Sequence, residues 1–417
     1  MKTIYHIDAN SAYLSWTAVD LLEKGHPVDL REVPSVVAGD PENRHGIILA
    51  KSIPAKRAGV TTAMSIMEAR RCCPDLIILR PDYDLFLQCS EAMYEILCQY
   101  SDRIERYSVD ECWLDYSNSV KLFGDPLVTA YEIKSRIHSE LGFTVNVGVS
   151  CNKLLAKMGS EMQKPDRVHT LYPEEIPEKM WPLPVGELFF CGRRTAEKLT
   201  RLGINTIGEL AHTELSLLKS ILKPVHGTLM HEYANGIDRS PVDANGRLVQ
   251  KGVGNATTIA YDVYCESEAY EVLLALAERV GYRLRKFKAC AQVASVTIRN
   301  ADLNWYRHQR KLPCAIATTT EIYETAKQLF SESWRGEPVR QLGIHLGSLC
   351  LESRRQLSML ERPDAERLKT LDRTVDEIRH DFGKRSVMRG TFANTELDPL
   401  LGGVNDGDYL MMGGYSL

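Results

Sequence analysis

The spacing of apolar and polar side chains divides the chain into two blocks with the same rhythm, separated by a helical stretch. Met1 to Ile7 is an apolar strand that closes on Asp8. Residues 14 to 30 read as a short helix and a turn, broken at Gly25-His26-Pro27. Val33 to Val37 and Gly46 to Ala50 read as strands on either side of the polar loop Gly39 to Asn43, and Lys51 to Gly59 holds a short basic helix. Helices are expected over 65–73 and 84–100, the second with its apolar stripe on Leu85, Cys89, Met93, Ile96 and Leu97. Ile104 to Ser108 and Cys112 to Tyr116 read as paired strands around Val109-Asp110-Glu111. A helix from Asp125 to Leu141, a strand from Phe143 to Ser150 and a helix from Asn152 to Met162 follow, the last ended by Lys164-Pro165-Asp166. Strand, helices, hairpin, helix and strand give a ferredoxin-like α+β unit.

After residue 171 the pattern turns helical, and Gly192 to Leu210 reads as helix, Gly-closed hairpin, helix. Residues 241–250 are polar and read as a linker. A second β-α-β-β-α-β series is expected next, with strands over 251–263, 291–299, 304–313 and 339–350 and helices over 266–288 and 319–334. Asp364 to Phe382 reads as an amphipathic helix, and the glycine-rich stretch from Gly402 as disordered.

Composition narrows the class. With 417 residues, 44% hydrophobic and 25% charged, the chain reads as a soluble protein of two to four domains. It shows no membrane-length apolar run and no signal peptide. Eleven cysteines without a Cys-x-x-Cys pair indicate neither a disulfide framework nor a zinc site, and fit a reducing cytoplasm. The net charge of −4 weighs against a nucleic-acid binder, but nine Lys or Arg fall between Arg279 and Lys311 against one acid, Asp302. Such a run points to a phosphate backbone; a solvated helix face is the competing reading.

The acids carry the chemistry. A strand ending at Asp8 and a hairpin carrying Asp110 and Glu111 can meet at one sheet end. Grouped carboxylates are costly unless a cation or a proton neutralises them; the alternative is a solvated acidic turn. Three carboxylates suit Mg²⁺, which takes oxygen ligands and leaves positions open for substrate phosphates. Two such ions ~4 Å apart would clamp the attacking and leaving oxygens of a phosphoryl transfer.

Ile7-Asp8-Ala9-Asn10-Ser11-Ala12-Tyr13 together with Ser108-Val109-Asp110-Glu111 resembles the Y-family translesion DNA polymerases of the bacterial polymerase IV (DinB/UmuC) type, over residues 1 to 350. Ser150 to Lys157 and Gln163-Lys164-Pro165 match a further signature of that family. The resemblance implies a multidomain α+β right hand: a ferredoxin-like palm (1–11 and 79–170), small fingers (12–78) and a helix-hairpin-helix thumb (171–240). Past the 241–250 linker it implies a β-α-β-β-α-β little finger (251–350) and a tail (351–417). Asp8, Asp110 and Glu111, with the Ala9 carbonyl, would bind two Mg²⁺ and catalyse transfer from a dNTP to a primer 3′-hydroxyl. Ala12, Tyr13, Lys56 and Lys164 would bind the nucleotide, Tyr13 as the gate against ribose.

Leu202, Gly203 and Ile204 in the thumb, and Arg285 and Lys288 in the little finger, would touch the primer-template DNA. Gln356, Leu357, Met359 and Leu360 resemble the peptide that docks on the bacterial sliding clamp (beta subunit). The sequence departs from the family at Ala50, Ile53, Lys56 and Phe190, where a hydroxyl residue, Tyr, Arg and Gly are usual. A small-residue roof over the nascent pair implies low fidelity, and no stretch is left for a proofreading exonuclease. An inactive DNA-binding scaffold and a palm-fold nucleotide cyclase are the competing classes.

Overall fold

The computed structural model describes residues 2–39, 46–244, 250–354 and 363–394. Gln356, Leu357, Met359 and Leu360, half of the expected linker and the glycine-rich end lie outside the described residues. The chain forms two compact units, one built on 2–38 and 48–244, the other on residues from 250 onward. No described helix is long and apolar enough to cross a membrane, and all eleven thiols are free.

Among the described residues, eight strands fall in the first unit: β1 (Ile4–Ala9), β2 (Ser35–Ala38), β3 (Ile48–Lys51), β4 (Ile77–Leu79), β5 (Ile104–Arg106), β6 (Glu111–Asp115), β7 (Val145–Ser150) and β8 (Val168–Thr170). They make a five-stranded sheet in the order β5-β6-β1-β7-β8 and a three-stranded sheet in the order β3-β2-β4. Every residue of β1 is buried, which suits a central strand covered on both faces. One face packs on the helices Tyr83–Cys98 and Pro126–Leu141 through Phe86, Met93, Ile133 and Ile137. The helix Lys153–Glu161 packs against β7 and β1.

Two local expectations shift. In Tyr83–Cys98 the buried stripe is Phe86, Ser90, Met93, Ile96 and Leu97, with Leu85 and Cys89 half-buried. Phe86 sets that rotation, because its ring stacks on Tyr13, 4.3 Å away, and faces Trp16. The helix Ala12–Glu23, placed in the fingers by sequence, also gives Ala12, Leu14 and Trp16 to the core of the five-stranded sheet. The smaller sheet keeps its own core of Val36, Ala38, Ile48, Ala55, Ile66 and Leu76. Beside it the helix Ile53–Arg57 starts at Ser52, whose side chain accepts the Ala55 N–H.

The helical stretch folds around Leu199, Ile204, Ile207, Leu210 and Leu218. Its hairpin, between the helices Arg193–Thr200 and Ile207–His212, turns at Gly203 with φ +83°, a left-handed backbone that favours glycine.

The second unit holds β9 (Gly252–Val263), β10 (Ala289–Asn300), β11 (Trp305–Ile316) and β12 (Val339–Leu351), all antiparallel in the order β11-β10-β12-β9. The helices Glu266–Lys286 and Thr319–Ser333 bury Leu273, Leu276, Val280, Leu329 and Phe330 against Val296, Ile298, Leu342 and Ile344. Ala365–Phe382 is helical, as expected.

Candidate active site

The pairing of β1 fixes the site. Asp8 lies directly opposite Glu111 on β6 and Asn146 on β7. Like charges directly opposite on neighbouring strands repel, and Asp8 is only 5% exposed. Glu161, at the end of the helix Lys153–Glu161, brings a third carboxylate, and ligand oxygens of Asp8, Glu111 and Glu161 all lie within 4.8 Å of one another. The helix reaches this sheet end because Gly148 on β7 has no side chain. A Cβ there would stand 1.8 Å from the Ala156 carbonyl oxygen.

Two lysines answer the acids. Lys157 Nζ lies 2.6 Å from Glu111 Oε2. Lys164 Nζ lies 2.9 Å from Asp8 Oδ2 and 2.8 Å from Glu161 Oε2. His6, fully buried, places Nδ1 2.7 Å from Ser160 Oγ and Nε2 3.4 Å from Glu111. Burial holds its pKa down at about 4, so the ring is neutral at pH 7.

The same surroundings push the acids apart. Burial, partly opposed by Lys164 and reinforced by Glu161 and Glu111, pushes the Asp8 carboxyl up to about 8. Burial works against charge on Glu111 too, but the facing His6 ring and the Lys157 ammonium outweigh it and hold that carboxylate down at about 2. Lys164 is raised: burial opposes its charge, and Asp8 and Glu161 overcome that opposition.

Asp110 stands beside this cluster. Its carboxylate accepts from Ser108 Oγ at 2.5 Å, its backbone carbonyl accepts the Ala9 N–H at 3.0 Å, and burial raises its pKa. The grouped set is therefore Asp8, Glu111 and Glu161, where the sequence points to Asp8, Ala9, Asp110 and Glu111. Glu161 and Lys157 are the pair that sequence reading misses. Their signal is the i,i+4 spacing on a helix whose Ala156, Gly159 and Ser160 permit close packing. An all-oxygen donor set with buried charge to neutralise fits a hard divalent cation.

The turn after that helix is fixed by buried amides. Asn146 donates to the Ser160 and Gln163 carbonyls, and Asn10 accepts the Asp166 N–H at 2.9 Å. Lys164 and Lys56 line one cavity of about 580 Å³ with Glu161, Gln163 and Arg167. Tyr13 is half-buried, its ring lying flat on Phe86 with an interplanar angle of 6°. Ala12 is buried as the first residue of its helix. Leu202 and Gly203 are exposed at the hairpin, whereas Ile204 is buried.

The basic run of the second unit does not form one patch. Arg285, expected on DNA, gives its fork to Asp376 at 2.7 and 3.0 Å and to Asp372 at 3.2 Å. Its side chain is occupied in fastening the helix Ala365–Phe382, which weighs against the expected DNA contact. Arg310 pairs with Glu332, and Arg279 is buried. The reason is geometric: a charge run that crosses a helix and two strands points to several faces. Lys288, Arg307 and Lys311 remain exposed.

Residues 7–161 match the impB/mucB/samB family and residues 250–359 match the impB/mucB/samB family C-terminal domain. The chain is 44% identical to DNA polymerase IV of Clostridium acetobutylicum over 95% of its own length and 99% of the relative's. It is 37% identical to DNA polymerase IV of Acetivibrio thermocellus over 93% of its length and 97% of the relative's. A solved Y-family DNA polymerase chimera of Dbh and Dpo4 shares the fold at a TM-score of 0.72 and 21% identity, covering 84% of this chain and 99% of that one. With its acidic sheet end intact and its likeness to the polymerase IV proteins running almost end to end, the chain belongs to the Y-family DNA polymerases of the DinB type.

Proposed function

We infer that the protein is a DNA-directed DNA polymerase that extends primers across damaged template bases, without a proofreading exonuclease. The relatives named DNA polymerase IV support the activity. The observation that carries it is the Asp8–Glu111 pair, set face to face across neighbouring strands at a sheet end and backed by Glu161. A scaffold needing no chemistry gains nothing from such a costly arrangement, so the inactive reading is not favoured.

Asp8, Asp110 and Glu111, with the Ala9 carbonyl, would hold two Mg²⁺, and Glu161 borders the same space. Bound there, the ions neutralise the acids, lower the pKa of the primer hydroxyl and take up charge on the triphosphate. The remaining chemistry belongs to the chain. Lys157 and Lys164 hold the acids together until substrate enters. Lys164 then turns from Asp8 to the nucleotide phosphates, joined by Lys56. The primer 3′-oxygen gives its proton to water and bonds to the α-phosphorus as the bond to the leaving pyrophosphate breaks.

Tyr13, braced on Phe86, stands under the sugar with Ala12 and excludes a 2′-hydroxyl. Leu202, Gly203 and Ile204 place the thumb hairpin on DNA phosphates, and Lys288 does the same from the second unit. Gln356, Leu357, Met359 and Leu360 tether the enzyme to the bacterial sliding clamp, and its place of action is the bacterial cytoplasm. The test is primer extension with Mg²⁺ on undamaged and lesion-bearing templates. Extension through a lesion, without excision of a mispaired end, is expected; no extension on either template refutes the reading.

A further inference from the structure

We propose that Arg167 is a third phosphate-binding cation of the nucleotide pocket and its one guanidinium fork among the described lining residues. The inference rests on the polymerase reading above and goes beyond it in assigning this residue. The cavity of about 580 Å³ is lined by Lys56 from the fingers helix, and by Lys164 and Arg167 from the turn after Lys153–Glu161. Glu161 is the acid in the lining, and it is already paired with Lys164. Neither Lys56 nor Arg167 has an ion-pair partner among the described residues. The lining is thus left with two uncommitted positive charges, which suits a polyanion.

The mounting of Arg167 is rigid although the residue is exposed. Its N–H donates to Asn146 Oδ1 at 3.2 Å, and its carbonyl accepts the Val147 N–H at 2.9 Å. Asn146 is fully buried and also ties down Ser160 and Gln163. The root of the side chain is therefore fixed to the central sheet, so only the side chain itself is left to order when phosphate arrives. Lysine offers a point charge, whereas arginine offers a planar fork that matches two phosphate oxygens at once. With Lys56 in the fingers, the bidentate contact falls to the palm.

The test is single-nucleotide insertion by the full-length enzyme, together with the reverse reaction driven by pyrophosphate. Arg167→Ala should raise KM for both dNTP and pyrophosphate about tenfold, the scale of one charge-assisted hydrogen bond. DNA affinity and Tm should stay at wild-type values. Arg167→Lys should recover part of the loss, and Lys56→Arg added to Arg167→Ala should recover most of it by returning a fork to the pocket. A merely structural residue would lower Tm and would not be rescued from the fingers. KM values within about twofold of wild type for both substrates in Arg167→Ala overturn the assignment. If the wild type itself does not extend a primer, the polymerase reading fails and this inference falls with it.

Discussion

The palm sheet and the sheet of the second unit share one order of elements and differ in pairing. In the palm the first strand, β1, lies in the middle, between β6 and β7. In the second unit the first strand, β9, lies at the edge against the last, β12. A central first strand delivers Asp8 to the side of Glu111; an edge strand has a neighbour on one side only.

Each region also gathers acids, and handles them differently. The palm answers Asp8, Glu111 and Glu161 with Lys157 and Lys164. The second unit answers Asp372, Asp376 and Glu278 with Arg285, Arg379 and Arg389. Lysine is a point charge on a flexible stem and can be displaced; an arginine fork is pre-organised for two oxygens. In these two clusters the lysine pairs leave the acids open to displacement, and the arginine pairs make a fastening.

The largest effect should come from deleting a lysine-paired acid. Glu111→Ala or Asp8→Ala should lower primer extension by about 10³-fold or more while DNA binding and the fold survive, as expected for the proposed metal ligands. Asp110→Ala should do the same. Extension at near wild-type rate by any of the three would place that residue outside the metal set.

Breaking the arginine fastening should do the reverse, changing stability and sparing chemistry. Arg285→Ala leaves Asp372 and Asp376 without their fork in a largely buried site, which costs about 3–5 kcal/mol. The helix Ala365–Phe382 should lose amide-exchange protection, with the insertion rate per bound DNA unchanged. Full protection of that helix in the variant would deny the fastening role. A smaller effect separates Arg285 from its neighbour Lys288. Lys288→Ala should flatten the log–log salt dependence of DNA binding by about one unit, and Arg285→Ala should leave the slope as it is. Equal flattening by both would return Arg285 to the DNA.

What sequence could show follows from the range of the interactions. Most strands of the two larger sheets and the position of Asp8 were legible, because an apolar run ending on a carboxylate is a local pattern; the three-residue strands β4 and β8 were not, being too short to carry a period. Glu161 and Lys157 were not, because their place depends on a helix lying directly on Gly148. The pairing of Arg285 was not legible because its partners lie 87 and 91 residues away. The sequence shows how many charges a segment carries; only packing shows which of them are already answered.

The smallest effect tests the palm cluster by titration, in protein freed of metal by chelation. Asp8 is held near 8 in the folded state, chiefly by burial, against about 3.9 in an unfolded chain. Between those values the folded state keeps a proton that the unfolded state gives up, so stability falls as pH rises and levels off above about 8. Two neighbours act in other windows. Glu111, held near 2 against burial by His6 and Lys157, contributes stability that is lost only as pH falls below about 4.3. His6, held near 4 by burial, loses stability as pH falls from about 6.5, which opposes Asp8 there. Above about 6.5, where His6 and Glu111 no longer oppose or add to it, Asp8 leads the decline up to about 8, and one proton sets the limit at about 1.4 kcal/mol per pH unit. Denaturant melts should show this decline in the wild type and a flatter line in Asp8→Asn. Arg285→Ala should keep the wild-type slope at lower overall stability, since its acids belong to the other unit. An unchanged slope in Asp8→Asn would mean that the proton resides elsewhere in the cluster, and that lysine, not protonation, keeps the sheet end intact while it waits for its cation.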